Sequence, residues 1–230
     1  MKFRALPPTD FANTTVKRKP HQWVDLSRMK SSFGSFSYDP TRAALPAIFN
    51  SMLPLFPQMA PEAYERVRSG VERSCRRGEV ERVANLGVCD AISTGVTEQD
   101  LSGKEEVFSS VRFGAYDKIN YTSPLIIVKD GRPFIPFFDF RQGGSRLSAD
   151  AMDFVFAVNY HGIVEKDSYF EEAGLVIFQF PKVSGVRRMV PKWFGGTPRW
   201  TVAELEGMIR TTNALWSDIQ LKRREAGESI

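Results

Sequence analysis

The sequence predicts an α/β fold in which a central mixed sheet is flanked by helices. Two apolar runs on either side of Asp130-Gly131 predict a β-hairpin, because Asp-Gly between such runs is the strongest short-range signal for a two-residue turn. The apolar patterns follow the order helix, strand, strand, strand, helix, strand, which is typical of α/β proteins. With 230 residues, of which 42% are hydrophobic, the chain is long enough to bury such a core.

The first 40 residues (1–40) are predicted to form an irregular, basic N-terminal arm. Paired prolines and clusters of Asn, Thr, Ser and Gly are typical of turns and loops. Lys17, Arg18 and Lys19 lie within this arm, and a basic extended segment can contact a phosphate backbone. A solvated tail explains the same three cations equally well.

Helices are predicted between residues 41 and 92. Pro61 suits the start of one of them, and an apolar stripe follows at three-to-four spacing. The stripe consists of Tyr64, Val67, Val71 and Cys75. The opposite face alternates Glu and Arg, so that Glu72 can pair with an arginine one turn away. Solvated ion pairs explain this face, and the alternative is that Glu72 supplies a carboxylate to a site.

Local signals also predict the remaining sheet and helix. Residues 107–113 and 174–180 have the apolar, β-branched and aromatic content of strands. Ser148 is a suitable N-cap for a helix between these strands, and Gly162 is a suitable stop. The two-residue turn at Asp130-Gly131 places Lys129 opposite Arg132.

The second strand of the hairpin ends in Asp139-Phe140-Arg141. Side chains alternate between the faces of a strand, so Asp139 and Arg141 share one face, and Phe138 and Phe140 share the other. A carboxylate beside a cation at the end of an apolar strand suits metal-dependent phosphodiester chemistry. It also suits a plain ion pair at the edge of a sheet.

These motifs resemble the PD-(D/E)xK nuclease superfamily and, within it, the TnsA-type endonucleases of transposons. The matching residues are Tyr121-Thr122-Ser123-Pro124, Asp130-Gly131-Arg132 and Asp139-Phe140-Arg141. The resemblance implies a restriction-endonuclease-like core in residues 41–200 and Mg²⁺-dependent DNA cleavage. It implies catalytic roles for Asp139, Arg141 and Glu72, and it implies that Asp139, Asp117 and Asp130 hold the metal.

The sequence departs from that nuclease pattern at two positions. Leu125 stands where the family has a metal-binding aspartate, and Arg141 replaces the usual lysine. A guanidinium does not accept a proton at neutral pH. The resemblance therefore implies either an Mg²⁺-dependent endonuclease or a catalytically degenerate binding subunit of a mobile-element or defence complex.

A second candidate surface is the acid-free segment between residues 173 and 203. It contains cations and aromatic side chains around Gly195-Gly196, and we single out Arg187, Arg188, Lys192, Trp193 and Trp200. Cations track phosphates and exposed rings stack on bases in proteins that bind single-stranded DNA or RNA. Alternatively, the tryptophans fill the core and the cations are solvated.

Residues 201–230 are predicted to form a C-terminal helix. Thr201 and Glu204 have the spacing of a capping box, and a seam follows at alternating three and four spacing. The seam consists of Val202, Leu205, Ile209, Thr212, Trp216 and Ile219. It can pack on the domain itself, on a partner helix or on a second copy of the chain.

Composition limits the other functional classes. No run approaches the roughly 18 uninterrupted apolar residues of a membrane span, and the N-terminus has no apolar signal region. Cys75 and Cys89 lack a histidine cluster and are interpreted as reduced thiols, so we expect a cytoplasmic protein without a membrane partner. The net charge of +4 permits a polyanionic partner without requiring one.

Two functional hypotheses follow from these features. The first is engagement of DNA or RNA through a nuclease-like core, with Mg²⁺ as the cofactor if the core is catalytic. The alternative is a non-enzymatic interaction module that docks a protein through the loop at residues 187–200 and the C-terminal helix.

Overall fold

The structure is a computed structural model that describes residues 5–29, 37–51, 62–113 and 117–227, apart from some side chains in the first two strands. Its helices are α1 (Pro8–Thr15), α2 (Lys19–Arg28), α3 (Asp39–Ile48), α4 (Tyr64–Ser74), α5 (Glu79–Glu98), α6 (Ala149–Asn159) and α7 (Val202–Glu225). Its strands are β1 (Ser102–Phe113), β2 (Asp117–Lys129), β3 (Arg132–Asp139), β4 (Gly174–Gln179), β5 (Lys182–Val183), β6 (Val186–Arg187) and β7 (Val190–Phe194). The predicted α/β class with a central mixed sheet and flanking helices is confirmed.

The central sheet has five strands in the order β1-β2-β3-β4-β7. The β2–β3 hairpin turns at Asp130 (φ 50°) and Gly131 (φ 74°), with Lys129 opposite Arg132, as the sequence predicted. Strands β3 and β4 are parallel, because α6 crosses over between them, and the other neighbouring pairs are antiparallel. Strands β5 and β6 form a separate two-stranded hairpin.

The two faces of the sheet carry different helices. Ile135 and Phe137 of β3 pack with residues of α1, α2, α6 and α7. Phe138 points to the opposite face and packs with residues of α3, α4 and α5. This alternation agrees with the shared faces predicted for β3. Across the described residues, no helix is long and apolar enough to cross a membrane, and Cys75 and Cys89 are free thiols.

The N-terminal segment differs from its prediction. The prediction of an irregular arm in residues 1–40 is wrong for residues 8–28, which form α1 and α2 apart from a short turn. The paired prolines that suggested a loop, Pro7 and Pro8, are the N-cap and the first residue of α1, where proline is tolerated. Phe11 and Leu26 are buried in the core, so this segment is an integral part of the fold.

The C-terminal helix packs on these N-terminal helices. The predicted capping box is confirmed, with Glu204 N donating to Thr201 Oγ1 and Thr201 N donating to Glu204 Oε2. The seam from Leu205 to Ile219 is buried in the core shared with α1, α2 and α6. At the end of the helix, Arg223 Nη2 donates to the carbonyl oxygens of Ser27 and Met29. The seam is therefore covered by the chain itself, so packing on the domain is confirmed and this face is not open to a partner helix or a second copy.

Candidate functional site

Asp139, the predicted catalytic and metal-binding carboxylate, has no exposed surface. Its oxygens accept hydrogen bonds from Leu147 N (2.7 Å), Gln179 Nε2 (3.1 Å), Thr9 Oγ1 (3.4 Å) and Arg141 N (3.4 Å). Burial raises the pKa of Asp139, and the hydrogen bonds from Leu147, Gln179 and Arg141 oppose that shift. This carboxylate joins α1, β3, β4 and the loop before α6, and it has no open face toward a metal or substrate.

The guanidinium of Arg141 does not pair with the carboxylate of Asp139. Its two terminal nitrogens donate to the two carboxylate oxygens of Asp10 on α1, which is a bidentate pair. Arg141, which was predicted to be catalytic, therefore links α1 to the end of β3. The sequence could not reveal this pair because Asp10 was assigned to an irregular arm.

Neither Glu72 nor Asp130 lies near Asp139. Glu72 accepts from Arg82 Nη1 at 2.7 Å, so it forms an ion pair as the simpler explanation expected, but with an arginine of α5 and not with one a turn away on its own helix. Asp130 occupies the β2–β3 turn, and the side chain of Asp117 lies outside the described residues. Among the described side chains, no three ligands of the His, Cys, Asp or Glu type come together, and Mg²⁺ binding stays an untested prediction.

The three N-terminal cations do not form an extended basic arm. Lys17 Nζ pairs with Asp25 on α2 at 2.5 Å. Arg18 is the N-cap residue of α2 and Lys19 is its first residue, and both are exposed. All three lie around the start of a packed helix and not in an extended segment, and phosphate binding by the exposed Arg18 and Lys19 stays an untested prediction.

Arg187 and Arg188, predicted as a pair of phosphate ligands, have opposite environments. Arg187 is 6% exposed, and it donates from Nη1 to Phe140 O (2.9 Å) and from Nη2 to Tyr38 Oη (2.7 Å). Arg188 is exposed and lies 3.6 Å from Glu98. The assignment of Arg187 to a solvent-facing, phosphate-binding role is therefore wrong, because strand alternation on β6 turns it inward.

The aromatic residues of the acid-free segment are attached to the core. Trp193 on β7 packs edge-on against Phe134 (4.6 Å between centroids), with Lys129 over its ring at 5.2 Å. Trp200 packs against Phe154 and stacks with Arg199. The neighbouring Lys192 is exposed on β7. Trp200 is therefore packed on the core, in line with the core interpretation, whereas Trp193 keeps 37% of its surface exposed.

An open groove lies between α5 and the β5–β6 hairpin, and we call it the α5–hairpin groove. Its volume is about 930 Å³. One wall carries Val80 and Val83 of α5, and the other carries Val186 of β6; these three side chains are 58% to 66% exposed. Valines exposed to that degree on two facing walls are unusual for a surface that only contacts water.

The ionisable groups of this groove are arranged asymmetrically. On the α5 side, Glu79 is paired with Arg82 (2.6 Å) and Asp90 with Arg68 (2.9 Å). On the hairpin side the groove is lined by Lys182 and Arg188, both exposed. The carboxylates are thus partly neutralised by neighbouring arginines, and the hairpin wall remains cationic.

Sequence reasoning missed this groove. The signals were a Ser184-Gly185 turn, which has positive φ at both residues (50° and 83°), and two valines at i,i+3 on a helix whose buried stripe lies elsewhere. Neither signal says that the two elements face each other. Only the packing of the chain brings Val83 and Val186 to the same opening.

Comparison with known proteins identifies a different family from the nucleases. The family described as "Sliding clamp-binding bacterial toxin SocB" matches residues 9–226. The DNA replication inhibitor toxin SocB of Caulobacter vibrioides (strain NA1000 / CB15N) is 28% identical over 226 residues, which cover 98% of this chain and 93% of that protein. No solved structure matches the chain. The resemblance to PD-(D/E)xK and TnsA-type nucleases is therefore wrong, and so are the associated roles in DNA cleavage and transposition.

Proposed function

Because the chain belongs to the SocB family of sliding clamp-binding bacterial toxins, we propose that it binds a sliding clamp and thereby inhibits DNA replication. The observation that carries this proposal is the extent of the family match, which runs from residue 9 to residue 226. That range includes all of α2 to α7 and every strand, so it is the whole fold, not a shared short motif, that belongs to the family. A clamp works on DNA inside the cell, and we propose that the protein acts in the cytoplasm.

The proposed mode of action is protein–protein binding without catalysis. Asp139 and Arg141 are occupied by contacts within the fold, which supports a role in stability for both. The interaction-module hypothesis is therefore favoured over nuclease activity, and DNA or RNA as the principal partner is left without support. A restriction-endonuclease-like arrangement of the core elements stays an untested prediction about the fold.

A short apolar run in the sequence is a candidate for part of the contact with the clamp. Leu53-Pro54-Leu55-Phe56 lies outside the described residues, between the ranges that contain α3 and α4. Short apolar segments that contain proline are often bound as peptides in a groove of a partner. Replacing Leu55 and Phe56 with alanine tests whether this run takes part.

The direct test is a binding titration between the purified protein and the purified sliding clamp of the same bacterium. We expect saturable binding in calorimetry, and we expect the protein to inhibit primer extension by a clamp-dependent polymerase. Extension by a polymerase that works without a clamp is the control and should continue unchanged. Absence of binding to the clamp, or equal inhibition of both polymerases, would reject the proposal.

A further inference from the structure

We propose that the α5–hairpin groove is a surface that contacts the sliding clamp, and that it receives an apolar, acidic part of the clamp. This inference rests on the proposed function and adds the place of contact and the chemistry of the partner surface. Its evidence is the exposure of the groove's apolar side chains, the fixed position of its walls and its uneven charge.

Exposed apolar surface is concentrated at this groove. The groove is lined by Val80, Val83 and Val186, and Val183 lies on the same hairpin. All four valines are more than half exposed. Soluble proteins rarely leave a contiguous apolar patch uncovered unless it binds something. Burying such side chains against a partner supplies the non-directional part of an interface.

The walls of the groove are held in place by buried contacts. Arg187 anchors the hairpin to Phe140 O and Tyr38 Oη, and Arg188 N donates to Pro181 O across the base of the hairpin (2.9 Å). Gly87 of α5 faces the Arg187 side chain, and a Cβ at Gly87 would be 3.9 Å from Arg187 Cδ. A surface whose shape exists before binding loses less conformational entropy when the partner arrives.

The charges define what the partner surface must carry. The carboxylates of Glu79 and Asp90 have arginine partners within the chain. On the hairpin wall, Lys182 and Arg188 are both exposed, and Arg188 lies 3.6 Å from Glu98. An apolar segment that also carries Asp or Glu complements both the valines and these cations. Complementary charge at an interface mainly raises the association rate and makes binding sensitive to salt.

The test uses two double variants of the full chain in the clamp titration. Val83→Asp with Val186→Asp should weaken binding about tenfold or more, because the apolar contact is lost and the new carboxylates repel acidic groups. Val24→Asp with Val202→Asp is the matched control on exposed valines elsewhere, and it should bind as the wild type does. Because all four valines are exposed, we expect similar melting temperatures.

A second double variant tests the charge. Lys182→Glu with Arg188→Glu should weaken binding at low salt and reduce its dependence on salt, whereas Lys19→Glu with Arg73→Glu, at exposed cations outside the groove, should change neither.

Three outcomes separate this inference from the proposed function. If the wild type binds the clamp and both groove variants bind equally well, the groove is rejected and clamp binding stands. If Leu55→Ala with Phe56→Ala abolishes binding while the groove variants do not change it, the groove is again rejected. If the wild type does not bind the clamp, the proposed function itself fails.

Discussion

The centre around Asp139 and the α5–hairpin groove are opposite kinds of surface. Asp139 has the polar groups that chemistry requires, yet each of its oxygens already accepts hydrogen bonds from the fold and none of it is exposed. In the groove, by contrast, valines on both walls are open to solvent beside the exposed cations Lys182 and Arg188. A catalytic site needs polar groups that are not already satisfied by the fold, and Asp139 does not meet that condition. A protein-binding site needs uncovered apolar side chains, and the groove has them.

The same contrast is repeated at adjacent residues of the hairpin. Arg187 is buried and donates to a backbone carbonyl, whereas Arg188 is exposed and lies 3.6 Å from the exposed carboxylate of Glu98. Sequence composition treats them as one basic pair. Their different burial means that one supports the groove from beneath and the other can meet a partner.

We expect the largest loss of stability from a substitution at Asp139. Asp139→Ala should lower the free energy of unfolding by roughly 2–4 kcal/mol, because Leu147 N and the Gln179 amide lose their buried acceptor. Urea unfolding followed by circular dichroism measures this loss. Glu72→Ala is the control from the same predicted site, and its exposed ion pair should contribute less than about 1 kcal/mol. Equal, small losses for both variants would contradict a structural role for Asp139.

The second prediction separates the adjacent arginines. Arg187→Ala should lower the free energy of unfolding by about 2–3 kcal/mol, because Phe140 O loses its donor and the Tyr38 ring loses the guanidinium packed over it. Arg188→Ala should change stability by less than about 0.5 kcal/mol. Thermal melts of the two variants make the comparison, and similar losses would show that Arg187 is not the anchor of the hairpin.

The third prediction concerns the packing that joins α5 to the strand after the hairpin. A Cβ at Gly95 would lie 2.8 Å from Met189 Cβ, an atom fixed to the backbone, so Gly95→Ala should destabilise by about 1–2 kcal/mol. Gly207→Ala is the matched control, since nothing lies within 4 Å and a helix interior favours alanine by about 0.5–1 kcal/mol. If Gly95→Ala also stabilised the protein, α5 and Met189 would be farther apart than described.

The smallest expected effect is a pH dependence. Burial raises the pKa of Asp139 above its usual value of 3.8, so the folded state holds this proton more tightly than the unfolded state. The resulting contribution to stability is complete below the unfolded pKa and is lost as the pH rises through the folded pKa. Asp139→Asn cannot titrate, so the stability of the wild type relative to this variant should fall as the pH rises across the acid range. Urea unfolding of both proteins at several pH values tests this slope. If the wild type instead became more stable relative to Asp139→Asn as the pH rises, folding would lower the pKa of Asp139 and not raise it.

Local chemistry made much of the fold predictable. The Asp130-Gly131 turn, the Ser148 cap, whose side chain accepts from Ala151 N, and the Thr201–Glu204 capping box each depend on neighbours within a few residues. The α5–hairpin groove was not predictable in the same way. Its hairpin and its helix lie far apart in the chain, and each one alone has an ordinary sequence.

The sequence by itself determined the α/β class, the β2–β3 hairpin and the ends of several helices, because propensity, capping and turn geometry act over short distances along the chain. Tertiary structure decided that α1 packs against the end of β3, which buried Asp139 and gave Arg141 its partner in Asp10. It also decided that α5 and the β5–β6 hairpin face each other with their valines uncovered. Burial and the pairing of charges depend on which surfaces meet in space, and no local pattern of residues carries that information.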